Sequence, residues 1–259
     1  MAYKPFDLTG KVALVTGGNR GIGYGFAEAL AQAGARVAIW GSNAAKNTEA
    51  AKKLSAYSQT KAWTVNVADE KAVADAMLDV VKTFGRVDTV IANAGVGGGG
   101  KSFAEFPTET YRRVLSVNLD GVFFTLREAC KHMVERAKAG DPGGSLAGVA
   151  SLAAIEGAAR NEAYAATKGA VVSMIKSIAV EHARYGVRAN SILPGWIATD
   201  MTQGAQDNPA FAEKVIPRVP MRRWGQPSDF GGVAVYLASD ASSYHSGEAF
   251  VIDGAYSIF

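Results

Sequence analysis

The sequence predicts a single α/β domain, a doubly wound parallel sheet of about seven strands with helices on both faces. Two observations predict it. Short β-branched runs alternate with longer segments of helical periodicity along the whole chain, and a strand–helix–strand repeat brings each new strand into the sheet parallel to the last. The repeat also runs through residues 1–259 with no change of composition, a length that suits one domain of the larger kind.

Residues 11–16 are an apolar run ending in a Gly-rich turn, and residues 21–33 carry Ile22, Phe26, Ala29, Leu30 and Ala33 at helical spacing, with Gly34 as the stop. Residues 36–40 read as a second strand and 44–57 as a second helix. A third strand is expected at 62–67, then a helix at 69–84 with Val73, Ala76, Met77 and Val80 on one face and Gly85 at its end. Residues 87–92 are a fourth strand, and a long helical region runs from Thr108 to about Lys138. Residues 145–150 are a fifth strand, 163–184 a long helix, and 187–193 and 249–252 two more strands. The irregular stretch 194–227 holds five prolines and three glycines. A connection that long inside a compact domain marks a functional lid, expected here over 195–227 with a short helix at 208–216. A plain surface excursion would have the same composition.

Composition excludes several classes. Apolar residues at 48% and charged residues at 20% are incompatible with wholesale disorder. Lys plus Arg number 27 against 24 Asp plus Glu, with no run of five like charges, so no nucleic-acid partner is expected. The single cysteine, Cys130, excludes an internal disulfide or a CxxC site and points to a reducing, cytoplasmic setting. Residues 1–10 lack the apolar core of a secretory signal, and the longest charge-free stretch, 142–155, is too short and too Gly/Ser-rich to span a bilayer, so no membrane association is expected. His132, His182 and His245 are scattered, without metal-ligand spacing, and no metal is expected.

The chemistry begins at the turn after the first strand. Thr16, Gly17, Gly18, Asn19, Arg20, Gly21, Ile22 and Gly23 have the spacing TGxxxGxG. Glycines there permit a tight turn and let a pyrophosphate approach the backbone, and the following helix presents unpaired N–H groups and its positive dipole end. Further along stand Ala92-Asn93-Ala94-Gly95, then Asn118, Ser151, and Tyr164 and Lys168 four residues apart on one helix face, then Pro194-Gly195 and Ile252-Asp253-Gly254. A free tyrosine, with a pKa of about 10, is a poor acid–base at neutral pH, and a nearby ammonium draws it down. Ser151 ends a strand on the sheet edge where ligands sit, and its hydroxyl can hold a carbonyl in place. Asn118 is an unfavoured residue in a helix.

Over about residues 8–257 this set resembles the short-chain dehydrogenase/reductase family. The resemblance implies a Rossmann-type domain, oxidoreductase activity on a small-molecule carbonyl or alcohol substrate, and a homo-oligomer, tetramer or dimer. It implies Asn118, Ser151, Tyr164 and Lys168 as the catalytic tetrad. It places Gly17, Asn19, Arg20, Gly21, Ile22 and Gly23 at the cofactor phosphates and Asn66 and Val67 at the adenine, where the family usually has Asp-Val. It counts Asn93, Ala94, Gly95, Tyr164, Lys168, Pro194, Gly195, Ile197 and Thr199 among the cofactor-binding residues, with Gly95 on the nicotinamide side, Lys168 within reach of the nicotinamide ribose and Thr199 at the carboxamide.

A ribose-binding acid is expected about 20 residues beyond the glycines, but Gly41 stands there and no Asp or Glu lies between Glu28 and Glu49. A 2′-phosphate instead needs donors, which Arg20, Ser42 and Asn43 supply. NADP(H) is therefore the preferred cofactor, with NAD(H) held through backbone groups as the alternative. Gly97, Gly98, Gly99 and Gly100 make either a roomy wall or a floppy loop. Leu152, Ala153, Ile155, Trp196 and Ile197 are candidate pocket residues, with Glu156 toward solvent. The apolar end, 249–259, is expected either against another subunit or folded back on its own domain. The expected function is NADP(H)-dependent reduction of a ketone or oxidation of a secondary alcohol. The alternatives are an NAD(H)-dependent dehydrogenase and a non-catalytic cofactor sensor; an epimerase or dehydratase is disfavoured by the complete tetrad.

Overall fold

Strand residues alternate between the two faces of a sheet, so a strand buried on both sides must be apolar throughout. The run before the Gly-rich turn meets that condition and lies inside the sheet, with a strand on either side. The computed structural model describes residues 4–100 and 102–259. Its strands are β1 (Val12–Thr16), β2 (Arg36–Gly41), β3 (Thr60–Thr64), β4 (Thr89–Ala92), β5 (Gly144–Val149), β6 (Val187–Pro194) and β7 (Ala249–Ile252). They form one parallel sheet in the order β3-β2-β1-β4-β5-β6-β7. The order reverses between β1 and β4, and the crevice at their carboxyl ends is where ligands bind in such sheets.

The helices are α1 (Gly21–Gln32), α2 (Ala44–Leu54), α3 (Glu70–Phe84), α4 (Thr108–Leu115), α5 (Gly121–Lys138), α6 (Glu162–His182), α7 (Gln203–Gln206), α8 (Pro209–Val215) and α9 (Gly231–Ala238). Two cores follow from the alternation along β1. Val12 and Leu14 pack with Trp40, Val73, Leu126 and Ile175 on one face, while Ala13 and Val15 pack with Phe26, Leu30, Ala234 and Leu237 on the other. No described helix is long and apolar enough to cross a membrane.

Two readings are corrected. The third strand lies at Thr60–Thr64 rather than 62–67, because its register is set by β2, with Val37 opposite Thr60 and Gly41 opposite Thr64. The long helical region from Thr108 is interrupted by a π turn, Ser116–Asp120. The stretch 194–227 carries α7 and, where a short helix is expected, α8, and its aromatic residues pack together. Trp196 lies against Phe211, Trp224 and Tyr256, with ring centres 5.1, 6.0 and 6.5 Å away. Tyr256 is buried beside Leu152, Val215 and Val219, so that part of the chain end folds back on its own domain, while Ile258 and Phe259 are exposed. The helix α9 was not anticipated. The reading of residues 1–10 as lacking a signal lies outside the described residues for its first three positions.

Candidate active site

The Gly-rich turn is built from backbone. Gly17 adopts φ +65° and Gly21 φ +52°, the left-handed region that favours glycine. A Cβ on Gly23 would collide with the Gly17 carbonyl and the Asn93 side chain. Thr16 lashes the turn to the end of β4: its Oγ1 accepts from the N–H groups of Asn93 and Ala94 at 3.0 and 2.9 Å, and the Asn93 amide donates back to the Thr16 carbonyl at 2.9 Å. Helix α1 starts without a side-chain cap, whereas Asn43 caps α2 and Asp69 caps α3. Its first N–H groups are therefore left for an anion, which is the property that suits this turn to a dinucleotide pyrophosphate.

A cavity of about 460 Å³ opens over the turn. It is lined by Gly17, Asn19, Arg20, Gly21, Ile22, Gly23, Ser42, Asn43, Asn66, Val67, Asn93, Ala94, Gly95 and Thr199. Pro194, Gly195 and Ile197 do not line it. Ile197 is buried instead, bridged to Gly225, and Gly195 is required by the close approach of Asp253, whose Cβ would lie 2.6 Å from an added Cβ. Lys46 and Asp200, which the sequence reading missed, also line the cavity.

At the Gly41 end of the cavity, the Asn19 amide donates to Asn47 Oδ1 at 2.7 Å, and the Asn47 amide donates to the Gly41 carbonyl at 2.9 Å. A Cβ at position 41 would strike both asparagines, so the absence of an acid there has a steric cause. Asn43 uses its Oδ1 to cap Lys46 N at 2.9 Å, leaving its amide N–H groups as donors. Asn66 Oδ1 likewise accepts from Ala68 N at 3.2 Å. Arg20 Nη1 lies 2.9 Å and Lys46 Nζ 3.6 Å from Asp200 Oδ2.

Asn118, Ser151, Tyr164 and Lys168, including the Tyr164 and Lys168 expected at the cofactor, do not line the cavity; Asn118 and Lys168 lie beneath its Gly95 wall. Asn118 is fully buried in the π turn, its Oδ1 accepting from Val96 N at 2.8 Å and its amide donating to Val96 O at 2.9 Å. Gly95 passes over it: an added Cβ would lie 3.4 Å from Asn118 Oδ1 and 3.6 Å from Lys168 Nζ. Ser151 follows β5, its Oγ accepting from Ala153 N at 3.2 Å, and its hydroxyl acts on the phenol of Tyr164 of α6. Burial raises the Tyr164 phenol above its ordinary value, and the Ser151 hydrogen bond alone opposes that. The expectation that a lysine ammonium draws it down is thereby corrected. Lys168 Nζ sits 5.4 Å from the Tyr164 ring centre, donates to the Val149 carbonyl at 2.8 Å, and is itself pushed down to about 8 by burial.

The glycine tract after Val96 is held in place. A Cβ on Gly98 would overlap Val114 and one on Gly99 would lie 2.9 Å from the Arg160 carbonyl. Gly100 N donates to that carbonyl at 3.1 Å, and Arg113 donates to Gly97 O at 2.9 Å. Cys130 is buried, its thiol pushed up to about 12. Among the described residues no cluster of His, Cys, Asp or Glu is placed to hold a metal. His132 Nε2 accepts from Val87 N at 3.0 Å, and His245 pairs with the Tyr236 hydroxyl at 2.7 Å, both structural contacts.

Residues 17–257 match a family profile described as enoyl-(acyl carrier protein) reductase. The chain is 36% identical to a 2-dehydro-3-deoxy-D-gluconate 5-dehydrogenase of Bacillus subtilis, over 98% of this chain and 97% of that protein. It is 38% identical to an NADP-dependent (R)-specific alcohol dehydrogenase of Lentilactobacillus kefiri, over 96% and 97%. The structure is similar to a gluconate 5-dehydrogenase from Burkholderia cenocepacia solved with NADP and tartrate, with a TM-score of 0.91, 31% identity and 99% of both chains covered. The chain belongs to the short-chain dehydrogenase/reductase family and is an oxidoreductase acting on the CH–OH group of secondary alcohols and the corresponding ketones.

Proposed function

We propose that the protein is an NADP(H)-dependent oxidoreductase that interconverts a ketone and a secondary alcohol with Tyr164 as general acid and base. The observation that carries the chemistry is the buried Lys168 amine, 5.4 Å from the Tyr164 ring centre and next to the bare backbone of Gly95, with the Ser151 hydroxyl acting on the same phenol. A nicotinamide dinucleotide bound over the turn supplies or accepts the hydride at the carbon bearing the oxygen. In reduction, the Tyr164 hydroxyl donates its proton to the substrate oxygen as negative charge develops there, and the Ser151 hydroxyl holds the same oxygen. The resulting tyrosinate faces the Lys168 ammonium across the ring distance of 5.4 Å. Lys168, which titrates at about 8, is poised to pass a proton inward. Asn118, whose side chain is used up on Val96, acts through its main chain and by fixing Gly95 and Val96. Oxidation is the reverse.

The preference for NADP(H) is supported by the cations and by Gly41. Arg20 and Lys46 converge at the end of the cavity where Ser42 and Asn43 also lie, and a side chain at position 41 would have to push aside Asn19 and Asn47. The lid over 195–227, the closing of a substrate site by Leu152 and Trp196, and assembly into a dimer or tetramer belong to the same proposal. A panel of ketones with NADPH and NADH, following loss of the reduced nicotinamide, tests it. Turnover is expected with NADPH ahead of NADH, and Tyr164→Phe should lose at least about a thousandfold in kcat while binding cofactor normally. Faster turnover with NADH on every substrate would reverse the cofactor assignment, and tight cofactor binding without turnover would favour a sensor.

A further inference from the structure

Arg20 comes from the phosphate turn and Lys46 from the first turn of α2, yet both meet one oxygen, Oδ2 of Asp200, at 2.9 and 3.6 Å. Asp200 belongs to neither element. It begins the short 3-10 turn Asp200–Thr202 at the base of the lid, fixed there by the Thr199 and Thr202 capping box. The three side chains remain about half exposed, 58%, 48% and 63%. The position that two cations can share around one anionic oxygen is thus held by a carboxylate of the lid, within the cavity that Ser42 and Asn43 also line.

We infer that Asp200 is a specificity-determining residue: its carboxylate stands in for the 2′-phosphate between Arg20 and Lys46, so that NADP(H) must displace it and unclasp the base of the lid, whereas NAD(H) leaves the clasp in place. The inference rests on the NADP(H) reading above. Three physical considerations support it. Two anions cannot share one pair of cations without repulsion, and a phosphate brings nearly two charges where the carboxylate brings one. Arginine grips a phosphate through two parallel N–H groups, whereas here only Nη1 reaches the carboxylate. Exposed ion pairs are individually weak, so the clasp is strong enough to bias the lid and weak enough to yield. The Arg20 hydrogen bond, with Lys46 behind it, holds the Asp200 carboxyl below its ordinary value, so the competitor is charged at neutral pH.

The test uses the full chain and binding readouts. Affinities for NADPH and NADH are measured by the fluorescence of the bound reduced nicotinamide, and those for 2′,5′-ADP and 5′-AMP by calorimetry, in wild type, Asp200→Asn, Arg20→Ala and Lys46→Ala. Lid cleavage within 203–218 by a low level of protease is followed in parallel. Asp200→Asn should bind NADPH and 2′,5′-ADP about three- to tenfold more tightly and change NADH and 5′-AMP less than about twofold. 2′,5′-ADP, but not 5′-AMP, should speed lid cleavage in wild type, and Asp200→Asn should already be cleaved fast. Unchanged or weaker NADPH binding in Asp200→Asn, with Arg20→Ala and Lys46→Ala still weakening it, overturns the clasp and leaves the cofactor reading intact. If neither cation variant separates NADPH from NADH, the cofactor reading fails and the clasp with it.

Discussion

The Nζ atom of Lys168 lies 2.8 Å from the carbonyl oxygen of Val149 and is almost sealed from solvent. One carbonyl is a poor substitute for water around an ammonium, which is why burial brings Lys168 down to about 8.

A stability prediction follows with a definite sign. The unfolded chain keeps the ordinary lysine value, so between pH about 8 and 10.5 the folded state holds fewer protons than the unfolded one. Stability therefore rises with pH through that window, and the cost of burying the ammonium is fully present below about 8. Lys168→Met removes the cost and leaves Val149 O unpaired. Denaturant unfolding at pH 7 and 9.5 should show the variant gaining on wild type at pH 7, by about 2 kcal/mol more than at pH 9.5. A difference independent of pH would refute the assignment.

Among the described residues Ser151 is the neighbour that lowers Tyr164. In alcohol oxidation Tyr164 must accept a proton, so activity rises as its phenol ionises. Ser151→Ala removes the lowering influence and should move the acidic limb of the kcat profile to higher pH, with a loss in kcat of about 10²–10⁴. Ser151→Thr, which retains a hydroxyl, should recover part of both. An unshifted limb in the alanine variant would show that the hydrogen bond does not tune Tyr164.

The legibility of the fold and the site divides by range. Strands β1, β2, β4 and β7 could be read because each is mostly apolar, and β5 and β6 because small or apolar residues recur along them between helical segments. The exception, β3, lies at the sheet edge with Lys61 exposed, so its own composition does not say where it begins. Helix α9 escaped because it is apolar nearly all round, Gly231 to Ala238, and shows no amphipathic period. The phosphate turn was legible because its chemistry is local in sequence. The meeting of Arg20, Lys46 and Asp200 was not, since the partners are 26 and 154 residues apart and converge only through the fold. Lys46 did carry a faint signal, a cation in the first turn of the helix just after Gly41.

Asn118 satisfies both main-chain groups of Val96 from a fully buried site. Asn118→Ala leaves both without a partner and opens a gap beneath Gly95. The cost should be about 2–4 kcal/mol in unfolding free energy. Turnover should fall further than stability alone explains, because Gly95 lies over Lys168. Chemical denaturation together with kcat measured well below the melting range checks both. A stability loss without a turnover loss would confine Asn118 to a structural role.

A common route to NAD(H) preference is to place an acid at the end of β2, where the ribose hydroxyls bind. Here a side chain at position 41 must displace Asn19 and Asn47. Any Cβ at that position meets the Asn19 amide and Asn47 Oδ1, and those two are tied to each other at 2.7 Å, while Asn47 also holds the carbonyls of Gly41 and Trp63 at 2.9 and 3.1 Å. Asn47 is buried, so it has no solvent to retreat into. Gly41→Asp should therefore weaken NADPH and NADH together, by at least about tenfold each, and cost about 1–3 kcal/mol in stability, since the phosphate turn loses the brace from Asn19. Adding Asn47→Ala to Gly41→Asp should recover room for the carboxylate and restore NADH binding before NADPH binding. Fluorescence titration of the three proteins with both cofactors measures it. A single Gly41→Asp variant that gains NADH affinity with undiminished stability would show that Asn19 and Asn47 yield freely and that the missing acid has no steric cause.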